Sequence, residues 1–300
     1  MYTEFYGLTE LPFGLTPNPK YIFKTESYLE VISNLKYGVT HYKGIVMVTG
    51  EVGTGKTTTL RSMMQQLGHK IACIYILNPT LSVPEFFEVL CTSLHLGLAK
   101  TASKPEILSA LGRSLAARHT KDMRTVLIVD EAHGLTTDVL EEIRLLANLE
   151  TNTEKLIQII LCGQPELREK LNQPNLRQLK QRISLRCSIK PLAQFEVPKY
   201  IRFRLKTAGA ERVDIFDTQA TDLISLASAG IPRVINNICD NALLEGYADG
   251  LETITRDVIE HVLDRLDIAP TDVGAVDDPD FSAWSATPSD GFGAREGPHN

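Results

Sequence analysis

The chain has 300 residues, 43% of them hydrophobic and 23% charged. These values exclude a wholly disordered protein and fit about two domains. The formal net charge is -6, and residues 270–300 hold six acids against one base. The body before them is therefore close to neutral, and global charge points to no class of partner.

Cys73, Cys91, Cys162, Cys187 and Cys239 stand apart, with no metal-ligand spacing. They read as reduced, buried thiols in a reducing compartment. The start lacks a basic and then apolar leader, and no apolar run nears the ~18 residues that span a bilayer. The expectation is a cytoplasmic protein, with peripheral attachment at the inner membrane through a partner left open.

Residues 2–25 interleave aromatics and prolines, a composition that resists regular structure but can pack flat on a domain. From Glu26, apolar residues at Leu29, Ile32, Leu35 and Val39 predict a helix. The short β-branched run Ile45–Val48 then predicts a strand buried on both faces. Ile71–Leu77, Val126–Val129 and Leu156–Cys162 repeat that type, and a fifth strand is expected around Ser184–Lys190. Helical stretches lie between them at Lys56–Leu67, Val83–Leu96, Pro105–His119 and Thr137–Leu149. Alternation of this kind means a parallel α/β sheet. After Pro191 only helices are expected, at Glu196–Ala208, Thr218–Ala229, Pro232–Ala248 and Thr255–Leu266. The predicted organisation is a docking segment (1–25), a sheet core (26–193), a helical domain (194–268) and a disordered acidic tail (269–300). Phe281 and Trp284 fall in that tail, as solvated residues or as a short linear motif.

Gly50-Glu51-Val52-Gly53-Thr54-Gly55-Lys56-Thr57 matches G-x-x-x-x-G-K-[ST], after a strand and before a helix. The glycines let the backbone wrap a phosphate chain, and the turn amides with the next helix N-terminus face the anion. Lys56 is placed to reach the β and γ phosphates, Thr57 to ligate Mg²⁺, and Thr58 follows on the helix. Val126–Val129 runs into Asp130-Glu131. Asp130 can hold magnesium, while Glu131, on the opposite side of the strand end by alternation, can polarise a water. Asp130-Glu131-Ala132-His133 also spells a helicase signature, but such helicases need two sheet domains, and His133 reads as a local hydrogen-bonding residue. Gln164, after the fourth strand, is a candidate to orient water, or a turn residue.

Between Arg168 and Lys190 lie seven bases and one acid, Glu169. Three readings stay open: a nucleic-acid surface, an arginine acting on a neighbouring subunit's phosphate, or a solvated helix face. Arg182 is the preferred finger because it closes a helix before the fifth strand. Gly230-Ile231-Pro232-Arg233 sets Arg233 at a helix start, since Pro suits the first turn. There it can contact phosphates from a lid.

The loop, the acid pair, Gln164, Arg182 and Gly-Ile-Pro-Arg together resemble an AAA+ ATPase. Phe5-Tyr6-Gly7-Leu8, Pro12-Phe13, Thr16-Pro17, Gly50–Gly53, Val129–His133 and Gly163–Leu167 resemble, more narrowly, the general secretion pathway protein A (ExeA-type) ATPases. The resemblance covers about residues 2–266. It implies a P-loop sheet core with a helical lid, ATP and Mg²⁺ as ligands, and assembly into a homo-oligomeric ring or filament. Lys56 is then the Walker A lysine, Asp130 and Glu131 the Walker B acids, Gln164 and Arg233 sensors, and Arg182 the finger. The choice of adenine rests on the resemblance alone. Best-known members continue into a membrane span and a peptidoglycan-binding domain that these 300 residues do not contain, which implies a shorter cytoplasmic ATPase. The expected function is a motor or assembly factor for a secretion or envelope system. The alternatives are a DNA-binding regulator of the transposition type and a nucleotide-gated scaffold with little turnover.

Overall fold

The computed structural model describes residues 1–77, 80–99 and 102–269. The tail from residue 270, with Phe281 and Trp284, lies outside the described residues.

The first 193 residues carry α1 (Tyr2–Phe5), α2 (Glu26–Thr40), β1 (Ile45–Gly50), α3 (Lys56–Gln66), β2 (Ile71–Ile76), α4 (Val83–Ser93) and α5 (Lys104–His119). They continue with β3 (Arg124–Val129), α6 (Thr137–Leu146), β4 (Gln158–Gly163), α7 (Glu166–Leu171), α8 (Arg177–Gln181) and β5 (Ile183–Ile189). The strands form one parallel sheet in the order β2-β3-β4-β1-β5. Period-two alternation divides their side chains between two cores. Met47, Leu127 and Leu161 face the core that holds Phe86, Leu111 and Ile143 from α4, α5 and α6. Val48, Ile128 and Cys162 face the core that holds Leu35 of α2 and Leu60 and Met63 of α3. Each such Leu or Ile contributes about 1.5–3 kcal/mol by burial, enough to fix the register of the central strands.

α4 stops three residues short of its periodic pattern. His95 turns into the left-handed region (φ 53°), and the Leu96 N–H bonds back to the Cys91 carbonyl at 3.0 Å, closing the helix.

The helical domain consists of α9 (Val197–Thr207), α10 (Thr218–Ser228), α11 (Pro232–Ala248) and α12 (Arg256–Arg265). Its core also takes in Tyr2, Tyr6, Phe13 and Tyr21. Residues 2–25 are thus more ordered than their composition predicts: α1 and a 3₁₀ turn at Pro19–Tyr21 punctuate a strap of turns and bends. The Thr9 N–H donates to the Ala208 carbonyl at 2.8 Å, tying this strap to the end of α9. The physical reason is that buried aromatic area offsets the entropy of ordering a chain with few internal hydrogen bonds.

Candidate functional site

The phosphate loop follows β1, and α3 begins directly after Gly55. The Lys56 ammonium is buried and donates to the carbonyls of Gly50 at 2.9 Å and Glu51 at 3.0 Å. The loop is packed from above by the helical domain. A Cβ on Gly53 would stand 2.6 Å from the Arg233 Cβ, and the Arg233 N–H donates to the Gly53 carbonyl at 3.2 Å. Gly53 is therefore required by a close approach as well as by its positive φ of 83°. Gly230 serves the same joint: its φ is 70° and a Cβ there would lie 1.9 Å from the Leu192 carbonyl oxygen.

β4 sits between β1 and β3, so the acid strand is two places from the loop strand. Asp130 nevertheless reaches it. Its Oδ2 accepts from the Thr57 hydroxyl at 2.7 Å and from the Tyr75 hydroxyl at 2.8 Å. Its Oδ1 accepts from the Glu131 N–H at 3.0 Å. Burial and the Asp130 charge push the Tyr75 phenol well above its ordinary range, so it stays a donor. Tyr75 was not singled out in the sequence. The one available signal was a hydroxyl-bearing aromatic near the end of the neighbouring strand.

Glu131 does not continue the strand alternation. β3 ends at Val129, and Glu131 adopts a left-handed backbone with φ 52°. The turn, rather than the pleat, carries its partly exposed carboxylate to the cleft beside the loop. Gln164 follows the end of β4, and its side-chain nitrogen lies 3.2 Å from His133 Nε2. His133 Nδ1 in turn lies 3.4 Å from Glu131 Oε2. An imidazole thus stands between the glutamine and the acid, and Gln164 itself does not line the cleft.

Arg182 is the C-cap of α8, immediately before β5. β5 pairs Ile183 with Ile45 and Ile189 with Gly50. The phosphate loop is thus at the opposite end of β5, about 20 Å away at ~3.3 Å per residue. The fold brings Lys56, Thr57, Asp130, Glu131 and Arg233 together but leaves exposed Arg182 far from its own loop. Other members of the basic stretch are engaged internally. Arg168 donates to the Thr49 hydroxyl at 3.0 Å, and Lys170 to the His133 carbonyl at 2.8 Å.

The cleft has a volume of about 310 Å³. One end is the loop, with Glu131 and Arg233. Ile189 stands beside the loop through its pairing with Gly50, and the rest of the wall comes from residues 14–18 and 21–23 of the strap, from Leu192, and from Tyr200, Arg204 and Asn236 of the helical domain. The composition of the strap points to docking alone and gives no sign that it lines a cleft. Asn236 carried a weak signal, lying three residues after Arg233 on the same face of α11.

A model of the AAA domain family matches residues 39–171. General secretion pathway protein A of Aeromonas hydrophila is 44% identical over 254 residues, 85% of this chain. The chain spans 46% of that protein's length, about half. Among solved structures, Cdc6p of Pyrobaculum aerophilum superposes with a TM-score of 0.66 at 16% identity, over 85% of this chain and 70% of that one. Drosophila ORC bound to DNA gives 0.64 at 18% identity, over 86% and 65%. The RuvB Holliday junction branch migration motor of Thermotoga maritima gives 0.55 at 17%, over 82% and 71%. At such identities these structures speak for the fold alone. The chain therefore belongs to the AAA+ P-loop proteins, and over most of its length it is related to general secretion pathway protein A.

Proposed function

We propose that the chain is a Mg²⁺-dependent ATPase that works as a homo-oligomer. The observation that carries this reading is the 2.7 Å hydrogen bond from Thr57 to Asp130, which joins the loop to the acid strand beneath the cleft that Thr57 and Glu131 line. A hydroxyl and a carboxylate beside a phosphate loop are the hard oxygen donors that Mg²⁺ takes, so these two residues would hold it. The ion, when bound, would neutralise charge on the phosphate oxygens. The loop amides and the α3 N-terminus hold the phosphate chain, with Lys56 exchanging two backbone carbonyls for phosphate oxygens. Glu131 orients the attacking water and accepts its proton, and Gln164 acts on it through His133. Arg233 reaches the phosphates from the helical domain.

Leu15, Pro17, Ile22 and Leu192 give the cleft away from the loop apolar surfaces suited to a planar base. Arg182, out of reach of its own loop, completes the site of the next subunit. The kinship to general secretion pathway protein A supports a role as a motor or assembly factor of a secretion or envelope system. No described helix is long and apolar enough to cross a membrane.

Lys56→Ala tests the site. Calorimetry with ATP and magnesium is expected to show affinity reduced roughly 10- to 100-fold, the worth of a charged hydrogen-bonding group. Unchanged affinity would remove the phosphate-cradle role.

A further inference from the structure

One buried network at the far end of the cleft is not used by the chemistry above. Arg204 of α9 is only 6% exposed. Its Nε donates to the Pro12 carbonyl at 2.6 Å and one terminal nitrogen to the Gly14 carbonyl at 3.2 Å. The other terminal nitrogen donates to the Tyr200 hydroxyl at 3.1 Å, and that hydroxyl donates to Asn236 Oδ1 at 2.9 Å. The guanidinium also lies 4.4 Å from the centre of the Tyr21 ring. Among the described residues Arg204 forms no carboxylate ion pair. Strap carbonyls, a phenol and an aromatic face take its place.

A buried cation satisfied in this way is costly unless its geometry is exact to each partner, and a planar fork suits two carbonyls where an ammonium does not. The carbonyls in question belong to the strap that walls the cleft, and Asn236 lies one turn beyond Arg233. The strap and the arginine facing the loop are therefore joined by three side chains.

We propose that Arg204 is a positioning residue for the nucleoside end of the cleft. It holds residues 12–21 at a fixed distance from the phosphate loop and so sets the share of affinity that comes from base and ribose. The inference rests on the nucleotide site proposed above but makes a separate claim. Phosphate binding does not need Arg204, whereas nucleoside binding does.

The test compares ATP with inorganic tripolyphosphate, each with magnesium, by calorimetry on the full chain. The wild-type chain is expected to bind ATP at least tenfold more tightly than tripolyphosphate. Arg204→Lys is expected to lower ATP affinity about tenfold, as loss of a buried charged hydrogen-bond fork would, and to leave tripolyphosphate affinity within twofold. Equal loss for both ligands, or no loss for either, would overturn the proposal. Tyr200→Phe removes one hydroxyl at constant shape and carries the test if Arg204→Lys does not fold. It is expected to lower ATP affinity about threefold with tripolyphosphate unchanged, and no change with ATP would overturn the inference. Wild-type chain that binds neither ligand would instead sink the nucleotide site itself. Wild-type chain that binds both equally would sink only the role of Arg204.

Discussion

At the phosphate end of the cleft nine consecutive residues, 50–58, supply a loop and a helix start, and the acid strand and Arg233 supply the rest. The opposite end draws on residues 14–18, 21–23, 192, 200, 204 and 236, which come together only when strap, sheet and helical domain pack. The first end is chemistry written locally, so its parts are charged, polar and spaced by the chain itself. The second is shape made by distant contacts, so its parts are ordinary aromatics, prolines and one buried arginine. Residues of the first kind should govern rate and phosphate affinity, and residues of the second kind should govern nucleoside affinity and stability.

The largest effect is expected at Arg182, which belongs to neither end within one chain. Arg182→Ala should stay folded and bind ATP, yet lose about 10³-fold in turnover if it stabilises transition-state charge in the next subunit. Mixing it with Glu131→Gln chains should restore measurable phosphate release, because a Glu131→Gln subunit can lend its Arg182 to an intact acid. No recovery in the mixture would assign the finger to another arginine. Glu131→Gln alone should lower turnover about 10²-fold with ATP affinity retained, as loss of a general base would. Wild-type turnover in that variant would end its role with water.

Stability separates the two ends further. Gly230→Ala places a methyl against the Leu192 carbonyl at a positive φ, and should cost about 2 kcal/mol. A denaturant midpoint equal to the wild type would show that the joint between sheet and helices is slack. The smallest effect concerns the thiols. Burial pushes Cys162 and Cys239 well above the ordinary thiol range and Cys187 to about 11. Alkylation of the native protein at pH 8 should reach partly exposed Cys73 and Cys91 first, with Cys162 modified only on unfolding. Peptide mass spectrometry showing equal rates at Cys91 and Cys162 would contradict the packing of β4.

Strands and helices were legible because parallel strands are short β-branched runs and the intervening helices keep a 3.6-residue period, as in α2 and α6. Gly50–Thr57 was legible because phosphate chemistry leaves few alternatives to that spacing. Glu131 was legible as a residue but not as a geometry. Alternation along a strand says nothing once the chain turns left-handed, one step after β3 ends. Tyr75 and Asn236 carry only weak signals and Arg204 none, since each acts through a neighbour remote in sequence. The strap fell between these cases: its aromatics announced burial, but only the fold says against what.

Lys56 gave up part of its hydration shell when the protein folded, and two carbonyls of its own loop now stand in for water. An arriving triphosphate meets a cation that is already largely desolvated and has mainly to trade partners. The dehydration penalty falls on folding rather than on association. A polyanion that displaces those carbonyls should therefore raise the melting temperature of the chain as well as bind to it.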